Sequence, residues 1–214
     1  MSDYNLPNLD DQYRISTIED LEALYSPPIE VALTKELDHI SDHYAAFIES
    51  SPFVALATVG PEGLDCSPRG DPAPCVRIHD RKTVLMPDRK GNNRTDTLHN
   101  IVRDPRVALL FLIPGVGETL RINGRAELVT DPDLCASFDM DGKTPTCVMV
   151  VHVDSIYFQC PKALVRSLLW DTDTQIDRKA LPSNGEMLAA LAPDKIDASD
   201  YDAAYPARLK DTIY

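Results

Sequence analysis

The stretch from Glu118 to Thr130 alternates more regularly than any other part of this 214-residue chain. Leu120, Ile122, Ala126 and Leu128 fall on one side of an extended backbone, and Thr119, Arg121, Asn123, Arg125 and Glu127 on the other. Successive side chains of a strand point to opposite faces, so a period of two predicts a strand with one face in the core. Its polar face is left for solvent, a partner subunit or an anionic ligand. Such a strand needs neighbours, and the chain supplies them. Phe53 to Val59 and Val107 to Ile113 are unbroken apolar runs, as in strands buried on both faces. Gly60-Pro61-Glu62-Gly63 turns the first run into Leu64 to Arg69, and Asp80-Arg81-Lys82 joins Val76–His79 to Thr83–Met86. A long strand follows from Thr146 to Gln159, with His152 packed or paired in the sheet. About six strands with short turns predict a mainly β fold with flanking helices, built as a small antiparallel barrel.

The helices are fewer. Thr17 caps a short helix opening with Ile18-Glu19-Asp20, and Pro27-Pro28 stops it. From Ile29 to about Ser50, Leu33, Leu37, Ile40, Tyr44, Phe47 and Ile48 recur every three or four residues, which predicts one long helix. His39 and His43 stand four apart, as a metal pair on a helix would, but Asp38 and Asp42 beside them read as a solvated face and no third ligand is suggested. No metal site is therefore expected. Asn93 is placed to cap a helix from about Arg94 to Arg103, with Asp96 three residues on. Asp131-Pro132-Asp133 opens another helix, ending near Met140, and Asn184 to Leu191 forms the last. Residues 1–15 and the final twenty read as arms. The expected division is an arm and short helix over 1–28, one domain over 29–170, and a tail with a short helix over 171–214.

A net charge of −13 and a pI near 4.7 argue against binding nucleic acid or an anionic membrane surface. The longest apolar run falls far short of the roughly 20 residues of a membrane span. The first residues are polar and acidic, unlike a signal peptide, and the cysteines (Cys66, Cys75, Cys135, Cys147, Cys160) are odd in number with no CxxC. A reducing, cytoplasmic setting with buried thiols is the expectation.

Against that acidity, positive charge gathers between Ser67 and Arg94. SPRGDP (Ser67 to Pro72) opens the stretch and PDRKGNNR (Pro87 to Arg94) closes it, with Arg69, Arg77, Arg89, Lys90 and Arg94 between. The second motif has the parts of an anion site: a helix N-terminus, a glycine that permits close approach, and guanidinium groups able to grip a phosphate. An exposed turn in which Asp88 and Asp96 neutralise the arginines fits the spacing equally well. There is no GxxxxGK[ST] and no GxGxxG. HExxH and GxSxG are also absent, Cys66–Ser67 has no obvious histidine base, and an acid–base role for Asp71 with Asp88 requires a geometry that spacing does not give. The catalytic residues stay unassigned.

The succession FVALATVGPEG, SPRGDP, TVLMPDRKGNNR, DPRVALLFLIPG, ETLRINGRAEL and KALVRSLLW resembles the pyridoxamine 5′-phosphate oxidase-like flavoproteins, and within them an FMN-dependent bacterial subfamily. The resemblance covers about residues 30–190. It implies a six-stranded split β-barrel, paired as a homodimer with FMN at the subunit interface. Arg69, with Ser67, Gly70 and Asp71 around it, falls where the family contacts phosphate or flavin. Asp88, Arg89, Asn93 and Arg94 form the phosphate loop, and Thr119 approaches the flavin, where the pyridoxamine oxidases have a glutamine. Lys162, Arg166, Ser167 and Trp170 fit a segment offered by the second subunit. KALVRSLLW lacks the arginine–histidine pattern with which those oxidases hold substrate phosphate, so a true pyridoxamine 5′-phosphate oxidase is not expected. The implied activity is hydride transfer between FMN and a nicotinamide or small organic substrate. The alternatives are a non-catalytic flavin or tetrapyrrole binder or sensor, and the same barrel using a deazaflavin. Arg121 and Arg77 are weak candidates for stabilising a reduced flavin.

Overall fold

The computed structural model describes residues 13–214, so the arm expected over 1–15 lies, up to residue 12, outside the described residues. The chain divides into two units, Met1–Lys35 and Glu36–Tyr214. In the first, α1 (Ile18–Glu22) begins where expected, with the Thr17 hydroxyl accepting from the Asp20 N–H at 3.1 Å. α2 (Glu30–Thr34) is the only helical part of the first half of the long helix read from the sequence.

That long helix is not formed. Leu37 leaves it to bridge Ile156, donating its N–H at 3.0 Å and accepting from Ile156 at 2.8 Å. Ser41 then restarts the chain by capping α3 (Asp42–Ser50) through the Tyr44 N–H. His39 precedes α3 and bonds to Asp38, so the two histidines do not share a helix face. Among the described residues no cluster of His, Cys, Asp and Glu could hold a metal.

The second unit is built on one antiparallel sheet of seven strands, one more than the six expected, in the order β2-β1-β5-β6-β7-β4-β3. They are β1 (Phe53–Gly60), β2 (Gly63–Gly70), β3 (Arg77–Asp80), β4 (Thr83–Pro87), β5 (Arg106–Leu112), β6 (Thr119–Val129) and β7 (Val148–Gln159). All seven lie at segments read as extended in the sequence, β3 among them as the first arm of the 76–86 hairpin and the shortest at four residues. The alternation of β6 is realised, with Leu120, Ile122 and Ala126 buried and Arg125 and Glu127 exposed. Residues from β1, β4, β5, β6 and β7 join Ile40, Tyr44 and Ile48 of the α3 segment in a single core cluster. These strands therefore share one apolar core, whose burial provides most of the stabilisation.

β4 is buried on both faces because a second, smaller cluster covers its outside. Leu85 and Val148 meet Cys135 and Phe138, presented by α5 (Pro132–Ala136) and the turn after it. α5 is shorter than expected, though Asp131 caps it as read. α4 (Asp96–Arg103) lies over β1, with Asn100 Nδ2 donating to Thr58 Oγ1 at 3.1 Å inside the core. α6 (Lys162–Ser167) follows β7, and two 3-10 turns lead to α7 (Asn184–Leu191). A capping box of Ser183 and Glu186, not recognised from the sequence, starts α7. The last residues are not an arm. They form α8 (Ala198–Thr212), capped by Asp197, whose Asp202 accepts the Gly185 N–H of α7 at 2.8 Å. No helix among the described residues is long and apolar enough to cross a membrane.

Gly124 marks the register shift between β6 and β7, where a Cβ would overlap the carbonyl oxygen of His152. A backbone atom in a central ladder has nowhere to retreat. Gly124→Ala is expected to destabilise by about 1–3 kcal/mol as overpacking, whereas Gly91→Ala, with nothing within 4 Å, is expected to be close to neutral. Denaturant midpoints at unchanged m-value check both.

Candidate functional site

β2 and β4 share no backbone ladder, yet their ends are tied by two ion pairs. Arg69 Nη1 donates to Asp88 Oδ1 at 2.9 Å, and Arg89 Nε donates to Asp71 Oδ2 at 2.8 Å. SPRGDP and PDRK thus exchange one arginine and one aspartate each. Both pairs are largely shielded, with side chains 21% and 19% exposed in the first and 16% and 8% in the second. Arg89 goes further, giving Nη1 to the Phe138 carbonyl at 2.7 Å. Its guanidinium is a joint between β2, the segment after β4 and the turn after α5. Arg77 makes a similar joint, bonding Ser137 through Oγ and carbonyl while stacking 3.8 Å over Phe138.

In front of these pairs is a cavity of about 450 Å³. Its wall includes Asp65, Ser67 and Arg69 from β2, Asp88 to Arg94 in part, and Thr95 to Leu98 at the start of α4. Ser67, Thr97 and Asp65 are linked by hydroxyl bonds of 3.1 and 2.9 Å, which fasten α4 to β2. Two sets of donors beside the cavity have no side-chain acceptor. Arg69 Nε is buried and has no hydrogen-bond partner, a costly state for a charged group. The N-terminus of α4 is also uncapped. The helix starts at Asp96 instead of Arg94, and Asn93 does not cap it. Thr95 occupies the cap position in the left-handed region, at φ 56°, and its hydroxyl bonds the Arg94 carbonyl instead. A β-branched residue there is strained. The first N–H groups therefore gain no side-chain acceptor, and Asp96 to Leu98, which carry them, line the cavity.

The charge balance differs from a simple positive patch. Arg94 is bound to Asp96 at 2.8 Å and remains 75% exposed, so every arginine on the wall has a carboxylate partner. The neutralisation by Asp88 and Asp96 that spacing allowed does occur, together with an Asp71–Arg89 pair that spacing did not suggest. Lys90 does not join the arginines but lines an adjoining cavity.

Of the residues singled out in sequence, Ser67, Arg69, Asp88, Arg89, Asn93 and Arg94 meet on this wall. Gly70 ends β2 and Asp71 stands behind the wall, holding Arg89. Thr119, Lys162, Arg166, Ser167 and Trp170 do not line it. Thr119 pairs with Gln159 where β6 begins and β7 ends, and Trp170 donates Nε1 to the Val116 carbonyl at 2.8 Å. Arg121 is held by the Tyr157 hydroxyl at 3.0 Å. Asp65 and Thr97 were missed; Asp65 could have been found from its period-two spacing to Ser67 and Arg69 on β2. The thiols split unevenly. Cys75, Cys135 and Cys147 are buried, but Cys66 and Cys160 are exposed. Burial, with Asp71 nearby, pushes Cys75 up to about 11, and burial, with Asp88 nearby, does the same for Cys147. Both stay protonated and unreactive near neutrality.

If the shielded pair is structural, Asp71→Ala is expected to cost about 3 kcal/mol by stranding the Arg89 charge. Arg94→Ala, at an exposed pair, is expected to cost under about 1 kcal/mol. Urea denaturation of the two variants beside the parent chain checks the ordering.

The family comparison bears on this geometry. A family model described as pyridoxamine 5′-phosphate oxidase matches residues 40–160. That span runs from α3 through β7 and contains the whole cavity wall. No curated protein matches the chain. Several solved structures resemble it. Group A Streptococcus HupZ is 20% identical over 55% of this chain and 91% of that one, with a TM-score of 0.46. General Stress Protein 26 from Bacillus anthracis str. Sterne is 15% identical over 53% and 88%, with a TM-score of 0.42. An F420 reductase is 20% identical over 56% and 98%, with a TM-score of 0.41. The family match alone spans more than half of the 214 residues, and the chain belongs to the pyridoxamine 5′-phosphate oxidase-like family.

Proposed function

We propose that this protein is a cytoplasmic FMN-binding flavoprotein and an oxidoreductase, with the cofactor phosphate in the cavity between β2, the 87–95 loop and α4. The observation that carries the reading is the buried Arg69 Nε without an acceptor, set beside the uncapped start of α4. A phosphate accepts from both kinds of donor, and the helix dipole favours its charge. The aspartates do not forbid this. A guanidinium has five N–H groups, so Arg69 and Arg94 can keep Asp88 and Asp96 while donating to a further oxyanion. Arg89 and Asp71 hold the loop in position. Closure of the sheet as a split barrel belongs to the same reading and is supported by the ion pairs that tie β2 to the end of β4.

A bound flavin supplies two-electron chemistry with a nicotinamide or small organic partner, and the protein supplies binding and orientation. Thr119, Lys162, Arg166, Ser167 and Trp170, which do not reach the cavity in their own chain, fit a site completed by a second copy across a homodimer interface. No residue of this chain is assigned to proton transfer. FMN is favoured over a deazaflavin by the compact phosphate loop. A substrate-phosphate pattern of the kind expected of a true pyridoxamine 5′-phosphate oxidase is absent from KALVRSLLW.

Equilibrium titration with FMN and riboflavin tests the phosphate grip. Arg94→Ala is expected to weaken FMN by roughly 10–100-fold, the worth of one charge-assisted hydrogen bond, while riboflavin affinity stays within about threefold. Equal loss for both flavins would exclude a phosphate contact. Anaerobic bleaching of the bound flavin by NADH or NADPH then separates enzyme from binder; no reduction by either favours the non-catalytic flavin or tetrapyrrole reading.

A further inference from the structure

The 88–93 loop has a second side. There, Lys90, Lys143, Thr146 and Tyr214 line a cavity of about 520 Å³ that shares Asp88, Arg89, Gly91 and Asn93 with the first. Its charges are arranged differently. Every arginine of the first cavity is matched to a carboxylate, but neither lysine here forms an ion pair among the described residues. Lys143 Nζ meets only the backbone carbonyl of Asp211, at 3.3 Å, which leaves two of its three N–H groups. The opposing acids on the wall are Asp88, already held by Arg69, and the exposed Asp211. Of the positive charges singled out in the sequence between residues 67 and 94, Arg77 and Lys90 form no ion pair among the described residues; Arg77 is spent on Ser137, and Lys90 lies on this wall.

Arg89 marks the boundary. Its Nε and one Nη are committed to Asp71 and Phe138, and the Tyr214 ring lies 5.4 Å from its guanidinium. The wall is therefore built by a fixed arginine, while the mobile donors are ammonium groups on flexible stems. Ammonium groups suit a compact anion with several oxygens, which takes donors from more than one direction. A phosphate monoester has three such oxygens and close to two charges at neutral pH. A carboxylate offers fewer acceptors and half the charge.

We infer that this second cavity is an anion subsite, in which Lys90 and Lys143 hold the phosphate group of a small phosphorylated ligand distinct from the cofactor. The subsite stands on its own lining and does not depend on the identity of the cofactor.

Calorimetric titration of the full chain with inorganic phosphate, in the presence of saturating FMN, tests it. With FMN filling the first cavity, the parent chain is expected to bind phosphate. Lys90→Ala with Lys143→Ala is expected to lower the affinity at least ~10-fold, and Lys90→Arg with Lys143→Arg to retain most of it. Both lysines are exposed, so the variants keep the fold, which circular dichroism verifies. Acetate is expected to bind at least ~10-fold more weakly than phosphate. No phosphate binding by the parent, or unchanged affinity in the double alanine variant, overturns the subsite; acetate binding as tightly as phosphate overturns the phosphate assignment. A chain that takes up no FMN but still binds phosphate through Lys90 and Lys143 removes the cofactor reading and leaves the subsite intact.

Discussion

The exchange of charges between Arg69–Asp88 and Arg89–Asp71 is the contact on which the rest of the site depends. It joins two segments that the sheet's hydrogen bonding leaves apart, since β2 is an edge strand and β4 pairs with β7 and β3. Partial burial raises the effect of the pairs, because their charges are screened less than surface charges and losing one member strands the other. Once tied, β2 and the 87–95 loop become two walls of one cavity. The hydroxyl chain from Ser67 to Thr97 and Asp65 then fixes where the start of α4 closes the third side.

Function follows from what this scaffold leaves unpaired. Strain at Thr95 and a buried, partnerless Arg69 Nε both cost stability in the protein alone. A bound oxyanion would give the Nε an acceptor and satisfy the uncapped helix start together, which is what supports the phosphate proposal. On the other side of the same loop, Lys90 lines the second cavity together with Lys143 from the turn after α5.

Much of the sheet was legible because its signals are local. The period of two in β6, the apolar runs of β1 and β5, and the turn glycines at 60 and 63 each act over a few residues. The break after α2 was not, because Leu37 fits a helical stripe as well as it fits a bridge; the partner that decides, Ile156, is more than a hundred residues away. α8 carries no apolar stripe and contains Pro206, so its reason to form lies in its own cap and in the Asp202–Gly185 bond to α7. In the site, the sequence located the arginines but not their partners. Asp96 stands two residues from Arg94 and was foreseeable as its counter-charge, whereas Asp88 pairs with Arg69 across the structure and not with Arg89 beside it. Asp71 reaches Arg89 only because β2 and β4 end at the same place, which no spacing rule encodes.

The central claim is that the cavity behind the 88–95 loop holds the phosphate of a flavin. Phosphorus-31 NMR of FMN in the presence of the full chain reads that contact at the atom concerned. The account predicts a bound resonance displaced from free FMN and insensitive to pH across the free phosphate's titration, because the arginine and helix donors keep it dianionic. A flavin that binds while its phosphorus signal keeps the free shift and titration would contradict it.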